Sequence, residues 1–515
     1  MVGMNTTVTL GKDTNQALGI GQFAVDFLAG RLGPGPSARV IRRTCQFHTD
    51  SVLCGVSALA LNTNAPTILR AEALEYLDER GAHPFGSETR VKTEKAIVAN
   101  SAAVREWDSN GTNFGYNPDR GFLAGEFGHN DYYPVAVAAC QHAGLDGATA
   151  VRAMILLDEI RGRLAEVFSL KSYKIDHVVH GAIASAAVYA AHLGGSPEQI
   201  ESAIGMFVAH YIPWRAIRAG KQLSDSKGAS AALSTEAAVL SAKRALRGFV
   251  GPRDIFRNPE SMFRQFERTA GDSPFDLVLT HSGDDFAVMG MHFKLGLYEH
   301  QSAGALQGVI DLMASNPELL IPGRIAHIVI KAYEPAFGII GDPAKRDPHT
   351  RQSADHSMVY IVAAFLGKAV RLAPTNLTKD SLWQQLMLEP SDYSESALFD
   401  PVTRELMEKI SFEHGGPEYD SRYPNGIPTS VVITDTDGKQ FDSGLVMYPA
   451  GHARNGEANL DLLLEHKFKL LGNIGLSDEA AARALIERLE ALDVADADQV
   501  SDLYRFEIAY RDETI

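Results

Sequence analysis

DHVVHGAIASAAVYAAHLGG, residues 176–195, decides the fold class. It is alanine-rich, its other small residues are glycine and serine, and it ends at Gly194-Gly195-Ser196-Pro197, a helix-stopping turn. A helix with so few bulky side chains lets its neighbours approach closely. Those neighbours follow at once. PEQIESAIGMFVAHY (197–211) is amphipathic with proline at its first position, where the missing N–H costs nothing. KGASAALSTEAAVLSAKRALRGFVGP (227–252) is a further helix, closed by Gly248 and Gly251-Pro252. The helical pattern holds from about 16 to 275 and predicts an all-α domain.

After residue 275 the character changes. FAVMGMHFKLGL (286–297) and IAHIVIKAY (325–333) read as strands. SVVITDTDGKQFDSGLVM (430–447) places Asp437-Gly438 between two β-prone runs, a hairpin signal. Helical stretches at 302–314 and 356–367 lie between them, so 276–455 is expected to be α+β. From 459 the chain is helical again (LDLLLEHKFKLLG, SDEAAARALIERLEALD). The expected organisation is a two-domain protein: a large all-α domain from 1–275, a smaller α+β domain from 276–455, and C-terminal helices in 456–515 that return to the first domain.

The length of 515 residues suits more than one core. Apolar residues make up 45% and charged residues 22%, as in a soluble globular chain, and no apolar run is long enough to span a bilayer. The N-terminal MVGMNTTVTLGKDTNQALG lacks the character of a signal or transit peptide, which points to a cytoplasmic protein. A formal net charge of −16 argues against nucleic acid as a partner, although a basic pocket can sit on an acidic protein. Three scattered cysteines, Cys45, Cys54 and Cys140, support neither a disulfide framework nor an iron–sulfur cluster.

Residues 101–134, SAAVREWDSNGTNFGYNPDRGFLAGEFGHNDYYP, crowd Asp108, Asn110, Thr112, Glu126, His129 and Asp131 into one segment. Nothing in 109–130 keeps a helical or strand period, so it reads as a long loop. Its aromatics, Trp107, Phe114, Tyr116, Phe122, Phe127, Tyr132 and Tyr133, favour burial and therefore order. An ordered loop carrying a carboxylate and an imidazole suits proton transfer.

Five further clusters stand out. They are Asp176-His177 with His180; Arg215, Arg218, Lys221 and Lys227; His292, Lys294, Glu299 and His300; Lys345, Arg346, His349, Arg351, Asp355 and His356; and His452 with Arg454. So many cations suit a ligand with more than one carboxylate. Taken singly, each has a plain structural use. Asp108 can cap, His177 can hold a core hydrogen bond, the 215–227 run can be a solvated face, and Asp355-His356 can cap the helix after it. No His/Cys/carboxylate group has zinc spacing, and no phosphate-binding glycine loop or nucleophile elbow is present.

In their order along the chain these pieces resemble the MmgE/PrpD family, and within it the 2-methylcitrate dehydratases. REWDSNGT (105–112) is similar to the family's D-x-N-x-T loop, with Asp108 and Thr112 in the matching places. GEFGHNDYYP stands where many members have G-H-P-S-D-N, which puts His129 at the family histidine and replaces P-S-D-N by Asn130-Asp131-Tyr132-Tyr133. IDHVVHGAIASAAV, GKQLSDSKGASAA, FKLGLYEHQS, DPAKRDPHTRQSADHSMVYIVA and YPAGHARN resemble the later motifs, and together the matches span roughly 40–475.

The resemblance implies a helical domain built from both termini, an α+β lid, and a site between them. It also implies a homodimer acting on a tricarboxylate without metal or organic cofactor; the lack of a bilayer-spanning run predicts no membrane partner. The expected reaction is loss of water from 2-methylcitrate to give 2-methyl-cis-aconitate. Asp108 and His129 are the expected acid–base pair, with His177 and Thr112 orienting and Lys227, Lys294, His300 and Arg351 holding carboxylates. Decarboxylation or isomerisation of a related acid, as by a cis-aconitate decarboxylase, and non-catalytic tricarboxylate binding are the alternatives.

Overall fold

The alanine-rich segment forms a helix over Val178–His192, and every residue from Val178 to Ala190 is buried. A helix apolar on all sides must be surrounded, and in the computed structural model it is. The structure describes residues 6–512 apart from 114, 119–121, 124–127 and 219–222. Phe114, Glu126, Phe127 and Lys221, singled out above, lie outside the described residues, and for Phe122 only the backbone is described.

The helical body contains α1 (Gln16–Leu28), α2 (Ala38–Ala60), α3 (Asn64–Ala73), α4 (Thr93–Arg105), α5 (Tyr133–Ala143), α6 (Gly147–Val167), α7 (Val178–His192), α8 (Pro197–His210) and α9 (Asp225–Leu246). Helices α1, α5, α6, α8 and α9 pack around α7. The closeness has a local cause. A Cβ on Gly181 would sit 2.0 Å from the Tyr132 ring, so glycine lets Tyr132 lie flat on α7. Helix α8 starts on a capping box in which the Ser196 hydroxyl accepts the Gln199 N–H and the Gln199 side chain accepts the Ser196 N–H.

The helices Leu460–Gly475 and Glu479–Glu490 return from the far end of the chain and pack on α2. The α+β part holds one four-stranded sheet, in the order Gln440–Asp442, Thr429–Asp435, Ile325–Ala332, Ile410–His414. Its last pair is parallel and the others antiparallel. Ile328 and Ile330 face Ile433 and Val431 across the central pair, and the helix Ala303–Ser315 covers the sheet. The hairpin read at Asp437-Gly438 forms, with Gly438 at φ +82°.

Two local expectations change. Residues 286–297 are not a strand: a short 3-10 turn, Ala287–Gly290, is followed by irregular chain. The backbone bonds go to separate segments: His292 exchanges bonds with Thr112, while Phe293 N–H donates to the Gly451 carbonyl and Leu297 N–H to the Leu388 carbonyl, so these bonds follow no single partner strand; Lys294 between them is fully buried and turned to a carboxylate. The cap of the helix Met358–Leu372 is Ser357, which accepts the Tyr360 N–H, so Asp355 and His356 are left for other contacts. Within the long loop, Thr112–Asn113 pairs with Gly128–His129 and Tyr116–Asn117 with Phe122–Leu123. Among the described residues no single helix is long and apolar enough to cross a membrane.

Gly181→Ala should destabilise the protein by about 1–3 kcal/mol, the usual cost of overpacking, because the Tyr132 ring has nowhere to go. Gly271→Ala, where an added Cβ meets nothing within 4 Å, should leave the melting temperature unchanged. Equal melting curves for the two variants would show that the Tyr132 contact does not set the α7 packing.

Candidate active site

Helix α4 ends at Arg105, and three residues later Asp108 takes the left-handed backbone conformation, φ +50°. Aspartate tolerates that region better than most residues. The bend points its carboxylate back at the helix end, where Arg105 Nη1 donates to Oδ1 at 2.6 Å. Lys294 donates to the same oxygen and, at 2.8 Å, to the Asp108 carbonyl. Lys227, in the first turn of α9, lies 3.3 Å from Oδ2, and His356 Nε2 lies 2.8 Å from it. Burial alone would raise the Asp108 pKa, but Arg105, Lys227 and Lys294 outweigh it and hold the carboxyl well below its ordinary range.

A second layer fixes this knot. Lys467, on the returning helix Leu460–Gly475, donates to the carbonyls of Ser109 and Lys294, 2.8 Å each, and pairs with Asp50 of α2 at 2.6 Å. The segments that carry these three partners are thereby tied together from below. Arg351 pairs with Glu106 and with Asp355 at 3.0 Å, and it sits 5.1 Å from the Trp107 ring centroid. Asp355 also meets His356 Nδ1, which lies 3.3 Å from Lys227 Nζ.

His129 is placed by its strand pair with Thr112. Its Nε2 accepts from Arg105 at 3.2 Å and its Nδ1 faces Lys294 at 3.5 Å. His177, just before α7, lies 5.5 Å from His129 between ring centroids. Its Nδ1 is 3.9 Å from Asp176, a carboxylate clamped by Arg218, and its Nε2 has no hydrogen-bond partner among the described residues. Burial keeps both imidazoles well below their ordinary pKa, so both are neutral near pH 7. Burial likewise brings Lys227 down to about 8, against the pull of Asp108.

These groups open onto a small cleft of about 110 Å³ between the helical body and the α+β part. One wall carries Arg105, Asp108, His129, Lys171, His177, Arg215, Arg218, Leu223 and Lys227; the other carries Glu299, Gln301, Ile340, Lys345 and His356. Six cationic side chains thus meet two carboxyls, on a chain whose net charge is −16.

Asp108, His129, His177 and Lys227 therefore come together at the cleft, and Lys294 touches Asp108 from beneath. Of the residues given a role from the sequence, Thr112, His300 and Arg351, like Lys294, are not on the cleft walls. The Thr112 hydroxyl donates to the Gly128 carbonyl at 3.2 Å and helps seat His129. His300 is buried in a stack with His292, which in turn stacks on His452. Arg351 is already paired with Glu106 and Asp355. Asn130 and Asp131 point inward: Asn130 donates to Ser51 of α2 at 3.0 Å, and Asp131 accepts from Asn110.

Arg105 and Lys467 were not singled out. The signal for Arg105 was an arginine in the last helical turn, three residues before an aspartate. For Lys467 it was a lysine lying on the apolar stripe of Leu463, Leu464, Phe468 and Leu471.

Asp108, Asp355 and His356 could hold a metal ion by distance, with ligand atoms within 4.8 Å of one another. The donor set does not fit one. Asp108 is already covered by Arg105, Lys227 and Lys294, and a divalent ion would add charge where three cations meet.

Two family models match the chain. The MmgE/PrpD N-terminal domain matches residues 26–273 and the MmgE/PrpD C-terminal domain matches 298–491, so the chain belongs to the MmgE/PrpD family. The second match takes in the returning helices that pack on α2. Among curated proteins the chain is similar to the mitochondrial 2-methylcitrate dehydratase of Yarrowia lipolytica, 29% identical over 365 residues, covering 67% of this chain and 65% of the relative. It is 25% identical to the 2-methylcitrate dehydratase of Escherichia coli over 449 residues, 82% of this chain and 83% of the relative. An alkylcitrate dehydratase from a fungal species is 24% identical over 322 residues, 62% of this chain and 60% of the relative.

Lys467→Met removes the cation from a fully buried pair and should cost about 3–5 kcal/mol in denaturant unfolding, as breaking one half of a buried ion pair does. Adding Asp50→Asn should recover part of that loss. A Lys467→Met protein as stable as the wild type would show that this pair does not join the returning helix to the site.

Proposed function

We propose that the protein dehydrates 2-methylcitrate, or a close 2-alkyl relative, to the corresponding cis-aconitate, using side chains for all proton transfers. The observation that carries this reading is the cleft itself: six cationic side chains around a neutral His177 whose Nε2 is free of hydrogen bonds among the described residues. A tricarboxylate matches that charge, and the names of the relatives give the substrate class.

In this reading the substrate bridges the two walls. Lys227 and Arg215 on the helical side and Lys345 on the other hold its carboxylates. His177 Nε2 takes the carbon-bound proton, and Asp176 beside Nδ1 steadies the imidazolium that forms. Charge developing on the adjacent carboxylate is met by Lys227 and Arg105, already fixed in place by Asp108. Asp108 has a different task from the acid–base role expected of it. With Arg105, Lys227 and Lys294 on it, it stays ionised and is too weak a base to draw a proton from carbon. His129, with both ring nitrogens engaged by cations, orients rather than transfers. A homodimer remains part of the proposal on the strength of the family resemblance.

Purified protein incubated with 2-methylcitrate, citrate and cis-aconitate, followed by ultraviolet absorbance of the new double bond and by CO₂ release, tests this. Absorbance should rise with 2-methylcitrate, without CO₂, and should survive EDTA and iron chelation. His177→Asn should lower turnover by a factor on the order of 10²–10⁴. Turnover should also weaken above pH about 8, where Lys227 loses its proton and with it the attraction for carboxylate. CO₂ release would make the protein a decarboxylase, activity restored only by added iron would end the side-chain mechanism, and binding without turnover would make it a tricarboxylate binder.

A further inference from the structure

We propose that Glu299 is the group that protonates the departing hydroxyl. This rests on the dehydratase reading and adds to it the acid that the reaction needs.

The cleft walls carry two carboxyls, Asp108 and Glu299. Asp108 is saturated: Arg105, Lys227, Lys294 and His356 occupy both of its oxygens. Glu299 stands on the opposite wall and has no ion pair among the described residues. Its position is nonetheless fixed. Its backbone N–H donates to the Asp355 carbonyl at 2.9 Å, and its Oε2 accepts the Gln301 N–H at 2.8 Å. The rest of the carboxyl is available to the cleft.

The charged groups that act on it are Asp108, Lys294 and Lys345. Burial comes first and Asp108 adds to it, while the two lysines oppose, and the outcome brings the Glu299 carboxyl up to about 7. Such a group carries a proton in a useful fraction of molecules at neutral pH and can give it up, which suits a general acid.

The atoms balance. His177 Nε2 takes the carbon-bound proton, and the C–H pair becomes the second bond of the alkene. The C–O bond breaks with its pair on oxygen, and that oxygen takes the Glu299 proton and leaves as water. His177 is left as imidazolium and Glu299 as carboxylate. Passage of one proton from the first to the second through solvent resets the site.

The plainer role for Glu299 is to cap the short turn His300–Ser302, since its side chain accepts from Gln301 N. Glu299→Gln keeps that acceptor and the shape but has no acid to offer, and so separates the two roles. With 2-methylcitrate as substrate, Glu299→Gln should lose kcat by a factor on the order of 10²–10⁴ with little change in KM. Glu299→Asp should recover part of the loss. The wild-type kcat should fall as pH rises through neutrality, where the acid is lost, and Glu299→Gln should lack that limb. A Glu299→Gln protein with wild-type kcat and the same pH profile overturns the assignment, as does one with a lower melting temperature and an unchanged profile. A wild type that dehydrates none of these acids sinks the dehydratase reading instead, whereas an active wild type with a fully active Glu299→Gln sinks this assignment alone.

Discussion

The carboxylate of Asp108 is the centre on which the site depends. Arg105, Lys227 and Lys294 converge on it in a buried volume, and each would repel the others strongly if it were neutral. At an effective dielectric near 20, two like charges about 4 Å apart cost about 4 kcal/mol. A single ionised carboxylate turns that repulsion into a fixed array. The array is positive enough to receive an anionic ligand and rigid enough to need little reorganisation when it does. The three cations come from α4, from α9 and from the segment after 290, so the same contact that builds the site also joins the two parts of the chain.

Everything beneath follows from holding that carboxylate still. The left-handed backbone at Asp108 aims it at Arg105. Lys467 and Asp50 carry the constraint to the returning C-terminal helix, far away in sequence, and the Ser109 hydroxyl donates to the Gly296 carbonyl at 2.8 Å on the other side. Through Gly181, α7 packs closely on Tyr132 one turn after His177, which stands at the start of the helix. The helical body thus supplies His177, the proposed base, and most of the cations, and the α+β part supplies Glu299, Lys345 and His356. A ligand that touches both walls favours the arrangement in which both are present.

Much of this was legible in the residues. The alanine content of 176–195 gave a buried central helix, the Asp437-Gly438 step gave its hairpin, and the crowding of Asp108, His129, His177 and Lys227 marked the cleft. Other parts were not, for physical reasons. Residues 286–297 have strand-forming side chains, but their backbone groups bond to three separate segments, at Thr112, Gly451 and Leu388, which local propensity does not reveal. Thr112, His300 and Arg351 look like ligands in the sequence because polar residues near a site do two jobs, touching the ligand and holding up those that touch it. Only packing separates the two. The role proposed for Asp108 was hidden for the same reason: that it is an aspartate in a loop three residues after Arg105 is visible, whereas the two lysines that join Arg105 on it, Lys227 and Lys294, come from distant segments.

The most direct test is a crystal structure of the protein with a tricarboxylate bound, using the His177→Asn variant to hold 2-methylcitrate unreacted. The account predicts the ligand between the two walls, its carboxylates within hydrogen-bond distance of Lys227 and Lys345, residue 177 next to the carbon that loses its proton, and Asp108 still held by Arg105 and Lys294. A ligand seated elsewhere, or one that displaces Lys294 and sets Asp108 against the reacting carbon, would contradict it.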